Sequence, residues 1–153
     1  MIPKFRAYDS GSLSHMYQPD EVMVCDGKIW IQDEDSEAND WIVNNDIHLM
    51  QSTGLKDKSG KEIFEGDIIQ TSAFACIVGF GEYTYIGDRN TLETEIGFYL
   101  SFLNIKPATY APFDKYYWDN CEVIGNIYEN GLDLIMYEVS KFNKEIEDET
   151  RTN

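Results

Sequence analysis

The sequence predicts a mainly β protein, a small barrel or roll with an N-terminal β-hairpin region and a short C-terminal helix. Three observations predict it: short segments that alternate apolar and polar residues, turn signals between them, and a change to helical spacing near the end of the chain. The chain has 153 residues, of which 42% are hydrophobic and 14% aromatic. A chain of this length and composition can bury a substantial core, which excludes global disorder.

The clearest local signal is a hairpin near the N-terminus. Val22–Cys25 and Lys28–Gln32 are rich in β-forming residues, and Asp26-Gly27 separates them. A two-residue hairpin turn requires positive φ at both central positions, and Asp-Gly accepts this conformation readily. We therefore predict a β-hairpin with its turn at these two residues.

Further strands follow along the chain, at 47–51, 67–71, 76–80, 97–102 and 122–128. Lys58–Lys61 reads as a turn with Gly60 in the left-handed conformation. Gly79 and Gly81 indicate a strand end or a bulge, and Gly97–Phe102 is expected to form a central strand. Gly125 indicates a bulge or a close backbone approach.

The C-terminal segment has a different period. Ile135, Val139, Phe142 and Ile146 lie four, three and four residues apart, which predicts a helix over about residues 134–146. The predicted organisation is an N-terminal β region with an acidic loop at 1–50, a barrel domain at 51–132, and the helix and tail at 133–153.

The charge excludes several partner classes. With Lys+Arg 12 and Asp+Glu 28 the net charge is −16, whereas nucleic-acid and anionic membrane surfaces attract basic proteins. Residues 20–46 contain nine carboxylates against the single cation Lys28, a net charge of −8. The predicted exposed acidic surface within this stretch consists of Asp33, Glu34, Asp35, Glu37 and Asp40.

No catalytic, cofactor or metal site is predicted. Asp33, Asp35 and Glu37 have the spacing of calcium ligands, but Ala38 and Asn44 stand where an EF-hand needs glycine and a bidentate glutamate. The chain has only two histidines and three dispersed cysteines, and it has no Gly-x-Ser-x-Gly motif. A dispersed nucleophile and base stay open as an alternative. Because no secretory or membrane-spanning segment is evident, we expect a cytoplasmic protein with free thiols.

An aromatic segment between two predicted strands has two interpretations. It reads as a loop whose rings either cover one end of the barrel or form a protein-binding patch, since tyrosine and tryptophan are frequent at protein interfaces. The residues concerned are Tyr110, Phe113, Tyr116, Tyr117 and Trp118.

Three segments resemble the YopX family of phage and prophage proteins, namely IPKFRAYD at 2–9, LMQSTGLKDKSGKEIFEGDII at 49–69 and WDNCEVIGNIYEN at 118–130. The resemblance implies an SH3-like barrel and a phage origin, hence a bacterial host cell, but no biochemical role and no functional residues. Tyr8, Cys121 and Gly131 depart from the family pattern, and residues 81–95 follow no pattern of the family.

These observations lead to two main hypotheses for function. The first is a non-enzymatic phage accessory protein that acts through protein contacts and self-association as a homo-oligomer, without binding nucleic acid or membrane. The alternative is an acidic decoy that mimics DNA and occupies a nucleic-acid-binding protein of the host. An enzyme is the third hypothesis.

Overall fold

The structure is a computed structural model that describes residues 2–11, 14–103, 105–130, 136, 140–141, 144–145 and 147–150. The described strands are β1 (Phe5–Asp9), β2 (His15–Tyr17), β3 (Val22–Cys25), β4 (Lys28–Gln32), β5 (Trp41–Val43), β6 (His48–Lys56), β7 (Glu62–Phe64), β8 (Asp67–Gln70), β9 (Ala75–Ile86), β10 (Leu92–Phe102), β11 (Tyr110–Pro112) and β12 (Glu122–Asn126). A 3-10 turn spans Pro19–Glu21, and the helix α1 spans Lys115–Asn120.

The prediction of a mainly β protein is confirmed, and the sheets are curled, antiparallel and include a half-barrel. The chain divides into two compact units. The first consists of residues 1–55 and 62–64, and the second of residues 56–61 and 65–153. The domain boundaries expected from the sequence stay predictions.

The first unit contains two sheets, with strand orders β2-β1-β6-β7 and β3-β4-β5. Its core cluster consists of Ala7, Tyr17, Val22, Ile31 and Ile47. Ala7 pairs with Tyr17 in one sheet and Val22 pairs with Ile31 in the other, and directly opposite residues share a face of their sheet.

The predicted N-terminal hairpin is confirmed. Cys25 pairs with Lys28, which leaves Asp26 and Gly27 as a two-residue turn. Their φ angles are 54° and 68°, as this type of turn requires.

The second unit contains one sheet with the strand order β11-β10-β9-β8-β12. Leu100, Val78 and Ile68 lie in its core, where each is at most 1% exposed. The pairing of β12 with β8 shifts register between Val123 and Gly125, which confirms the predicted irregularity at Gly125.

The strands β9 and β10 form a two-stranded ribbon that the sequence analysis did not predict. They pair continuously from Cys76–Phe102 to Ile86–Leu92. In the described ladders, β8 pairs with β9 only at Ala75–Ile77, and β11 pairs with β10 only at Tyr99–Ser101. Beyond these positions the described ladders pair β9 and β10 only with each other. Gly97–Phe102 belongs to β10, which lies between β11 and β9, so the prediction of a central strand is confirmed.

Two glycines explain why the strand continues where an end was expected. A Cβ at Gly79 would lie 2.4 Å from the ring of Tyr99, so the glycine makes room for that ring to cross the ribbon. Gly81 pairs with Gly97 and has a φ of 146°, which a residue with a side chain rarely adopts. Gly79 and Gly81 therefore lie inside β9, and the prediction that they mark its end or a bulge is wrong.

The turn at Lys58–Lys61 is organised by Asp57, which is 6% exposed. Its Oδ1 accepts hydrogen bonds from Ser59 N (2.9 Å), Ser59 Oγ (2.7 Å) and Lys61 N (2.9 Å), and its Oδ2 accepts one from Val123 N (2.9 Å). Lys58 N also donates to Cys121 O at 3.1 Å. One carboxylate thus joins the turn to β12, two segments that are 66 positions apart in the sequence.

Two further expectations concern the last third of the chain. Residues 110–119 are not a loop, because β11 and α1 occupy most of them. The stripe Ile135, Val139, Phe142 and Ile146 lies outside the described residues, so the C-terminal helix stays a prediction. Among the described residues, no helix has the length and apolar character needed to cross a membrane.

Candidate protein-binding ribbon and cleft

One face of the β9–β10 ribbon carries tyrosines and glutamates. Antiparallel partners share a face, and here Tyr83 lies opposite Glu95 and Tyr85 lies opposite Glu93. Tyr83 donates to Glu95 Oε2 at 3.0 Å, while Tyr85 donates to Glu93 Oε2 at 2.8 Å and to Glu95 Oε1 at 3.0 Å. Glu95 therefore bridges two tyrosines, and these hydrogen bonds fix the carboxylates in place.

The electrostatics of this face keep its phenols protonated. Burial and the hydrogen bond to Glu95 raise the pKa of Tyr83 to about 12. Hydrogen bonds to Glu93 and Glu95 raise the pKa of Tyr85 as well. Both hydroxyls therefore act as donors at neutral pH, and the negative charge stays on the glutamates.

The rings form a continuous aromatic row. Tyr83 stacks on Tyr85 at 5.6 Å between ring centroids and on Tyr99 at 5.1 Å, and Tyr99 meets Tyr110 edge to face at 5.8 Å. This row begins on the ribbon and continues onto the edge strand β11, so it joins residues far apart in sequence into one surface.

A cleft of about 590 Å³ lies beside this row, between the ribbon, β11 and α1. We call it the tyrosine cleft; it is lined by Tyr85, Ile86, Gly87, Asp88, Arg89, Glu93, Tyr110, Ala111, Pro112, Asp114 and Tyr117. Three carboxylates and one guanidinium give its lining a net charge of −2. A concave surface that combines aromatic rings and carboxylates is suited to a cationic group.

The predicted aromatic patch divides between core and surface. Tyr110 and Tyr117 line the tyrosine cleft. Phe113 is 9% exposed and packs edge to face on the half-buried Trp118 at 5.9 Å, whereas Tyr116 is 56% exposed. Phe113 is therefore a core residue, whereas a protein-binding role of the more exposed rings stays a prediction.

The opposite face of the ribbon carries four exposed apolar residues, together with Glu82 and the pair Thr84–Thr94. Phe80, Ile86, Leu92 and Ile96 are 47%, 67%, 76% and 77% exposed. The register places them on the face that does not carry the tyrosines, because Ile86 pairs with Leu92 and Phe80 pairs with Phe98. An apolar surface of this kind is typical of a contact with another molecule.

The predicted acidic surface lies on the segment between β4 and β5. Glu34, Asp35, Glu37 and Asp40 are exposed, and Asp33 is half-buried. The segment is held by its own hydrogen bonds, including Ser36 Oγ to Asp40 Oδ2 at 2.9 Å. Glu34 differs from the others because its Oε1 lies 2.7 Å from His15 Nε2.

The environment of Tyr17 shows how negative this part of the first unit is. Burial raises the pKa of Tyr17. Four nearby carboxylates raise it further, those of Glu34, Asp9, Glu21 and Asp33. No spacing in the sequence brings these residues together, because they come from different strands and connections.

Among the described residues, one serine lies close to a histidine. Ser10 Oγ is 3.2 Å from His48 Nε2, and the contact is exposed. Neither residue lines the tyrosine cleft.

The buried thiols are also unsuited to nucleophilic chemistry. Burial raises the pKa of Cys76 to about 12 and the pKa of Cys121 to about 11. A thiol reacts as the thiolate, and both residues are protonated at neutral pH.

Fold and site together define a mainly β protein with an acidic, tyrosine-lined cleft beside a two-stranded ribbon. The YopX family, described as YopX protein, matches residues 4–134. The match covers most of the chain, so the protein belongs to the YopX family and the resemblance of the three sequence segments is confirmed.

One solved structure similar to this chain is protein EF1440 from Enterococcus faecalis. The two share 26% sequence identity with a TM-score of 0.54, over 88% of this chain and 99% of the other. No curated protein matches the chain at a significant level.

Proposed function

We propose that this protein is a phage- or prophage-encoded accessory protein that acts in the cytoplasm of the bacterial host by binding other proteins and is not an enzyme. Membership of the YopX family supports the phage origin, and an SH3-like barrel for the second unit is part of the proposal. The observation that carries the binding function is the tyrosine cleft, a concave surface of aromatic rings and three carboxylates, of which Glu93 is held by Tyr85.

The chemistry of the cleft favours a basic protein segment as the ligand. Asp88, Glu93 and Asp114 attract a cation, and the faces of Tyr85 and Tyr110 offer it cation–π contacts. A guanidinium suits both features, because its planar group stacks on rings and forms paired hydrogen bonds with carboxylates. An arginine-containing segment is therefore the preferred occupant.

A peptide titration tests this function directly. Fluorescence anisotropy of a labelled hexa-arginine peptide is measured with the wild-type chain, with Tyr110→Ala and with Tyr116→Ala. Removal of Tyr110 is expected to weaken binding about fivefold to thirtyfold, the value of one or two cation–π contacts. Tyr116 is an exposed tyrosine outside the cleft lining, so its variant is the matched control. Equal losses in the two variants would contradict the assignment.

The proposal includes self-association through the apolar face of the ribbon. A chain of net charge −16 repels its own copies, so the contact has to form where charge is sparse. Phe80, Ile86, Leu92 and Ile96 provide such a surface, with Glu82 as the charged residue beside it. Because the same face on two copies is self-complementary, a two-fold dimer is the expected arrangement.

Light scattering after size-exclusion chromatography tests this contact. The double variant Leu92→Thr with Ile96→Thr keeps the β propensity of the strand and removes apolar surface. It is expected to shift the wild-type oligomer to a monomer. A wild-type chain that is already monomeric at high concentration, or a variant of unchanged mass, would contradict self-association through this face.

The exposed acidic segment favours a second candidate function, a DNA-mimicking decoy. Glu34, Asp35, Glu37 and Asp40 present carboxylates to solvent. A decoy depends on these charges, so Asp35→Asn with Glu37→Gln would release its partner. The partner would also dissociate as the screening length falls from about 8 Å at 0.15 M salt to about 3 Å at 1 M.

A further inference from the structure

We infer that His15, Glu21 and Glu34 form a binding site for a divalent transition metal, with Zn²⁺ as the preferred ion. Each residue contributes one donor atom, and the three atoms lie within 4.8 Å of one another. An imidazole nitrogen with two carboxylate oxygens is a ligand set that zinc accepts, at about 2.0–2.2 Å from each donor. The site is distinct from the tyrosine cleft and belongs entirely to the first unit.

The state of the histidine is the second observation that points to a ligand. His15 Nε2 is shielded from solvent and makes no hydrogen bond. Glu34 Oε1 lies only 2.7 Å away, which is an ion pair when the ring is protonated. Zn²⁺ would replace this contact, because it binds the neutral ring at Nε2 and takes a carboxylate oxygen as a further ligand.

Three separate elements hold the donors in place. His15 is on β2, Glu21 closes the 3-10 turn, and Glu34 lies in the connection after β4. Gln18 N donates to Glu21 Oε1 at 3.0 Å, which orients that carboxylate. His15 also packs edge to face on Tyr17 at 4.4 Å, which orients its ring. Donors that are fixed by their own contacts are a feature of metal sites.

The charge of the surroundings also suits a cation. Two glutamates line the site, and Asp9 lies opposite His15 in the β1–β2 ladder, on the same face of the sheet. A divalent ion would offset this concentration of negative charge. The negative charge and the histidine together favour zinc, which accepts both nitrogen and oxygen ligands, over calcium, which prefers oxygen ligands alone.

Isothermal titration calorimetry with Zn²⁺, on the full chain without a histidine tag, tests the inference. We expect one Zn²⁺ per chain, loss of binding in His15→Ala and at least about tenfold weaker binding in Glu34→Gln. X-ray absorption at the zinc edge should show nitrogen and oxygen neighbours without sulfur. Circular dichroism verifies that each variant is folded.

Two controls separate this site from other zinc-binding groups. His48 is the second histidine of the chain. It pairs with Tyr8, whereas His15 pairs with the neighbouring Asp9, so the two histidines lie on opposite faces of the sheet. His48→Ala should bind Zn²⁺ like the wild type, and so should Cys25→Ser, which removes the exposed thiol. No binding by the wild type, unchanged binding by folded His15→Ala, or loss of binding in either control would overturn the inference.

Discussion

Replacement of Asp57 by alanine should destabilise the protein strongly. The carboxylate accepts hydrogen bonds from three backbone N–H groups and one hydroxyl. Val123 N–H belongs to β12 and is partly buried. Loss of its hydrogen bond to Asp57 is expected to cost about 1.5–3 kcal/mol, the range for hydrogen bonds to a charged group. The donors of the exposed turn can bind water instead and should add about 0.5–1 kcal/mol each. The expected total is about 3–6 kcal/mol.

Urea unfolding followed by circular dichroism measures this effect. Asp57→Asn keeps one carbonyl oxygen and presents an NH₂ group to Val123 N–H, so we expect a loss of about 2 kcal/mol. Asp88→Ala is the matched control, because Asp88 is exposed at the tip of the ribbon, and it should change stability by at most about 0.5 kcal/mol. If Asp57→Ala is no more destabilised than this control, the turn does not depend on its carboxylate.

Asp57 should also make the stability of the fold depend on pH. Burial alone would raise the pKa of Asp57, but hydrogen bonds from Val123, Ser59 and Lys61 lower it below the ordinary value of 3.8. A group with a depressed pKa stabilises the fold above its unfolded pKa, and this contribution disappears as the pH falls through the folded pKa. Asp57→Asn should therefore lose less stability than the wild type between about pH 5 and pH 2.

Two further predictions concern single residues. Native protein treated with iodoacetamide should be alkylated at the exposed Cys25 and spared at the buried Cys76 and Cys121, and mass spectrometry that finds equal modification of the three would contradict their burial. Gly79→Ala should displace the ring of Tyr99 and cost about 1–3 kcal/mol, so unchanged thermal unfolding would show that the ring does not occupy this position.

Local chemistry explains which parts of the fold were predictable. The Asp26-Gly27 hairpin followed from two residues that tolerate positive φ, and the irregularity at Gly125 followed from a glycine inside an apolar strand. Both are properties of adjacent residues. The ribbon was not predictable in this way, because Gly79 and Gly81 by themselves indicate a strand end or a bulge. Their actual role depends on Tyr99, which is 20 positions beyond Gly79 in the sequence and opposite it in the ladder.

The candidate sites were predictable only in part, for the same reason. The segment with Tyr110 and Tyr117 is recognisable as aromatic from the sequence, but Glu93, which lines the same cleft, comes from β10. Alternation of tyrosine and threonine at 83–85, followed by glutamate and threonine at 93–95, was the signal that could have revealed the ribbon face. No sequence spacing connects His15, Glu21 and Glu34, since the approach of three separate elements creates that cluster.

A comparison of charge-matched variants tests the proposed cleft most directly. The double variant Glu93→Gln with Asp114→Asn removes two negative charges from the cleft. The side chain of Asp114 does not cap α1, so its replacement does not remove a helix cap. Asp35→Asn with Glu37→Gln removes the same charge from the acidic segment. With the labelled hexa-arginine peptide, the proposal predicts at least about tenfold weaker binding, or 1.4 kcal/mol, for the cleft variant and little change for the other. Equal weakening in both would show general attraction to an acidic chain and would contradict a specific cleft.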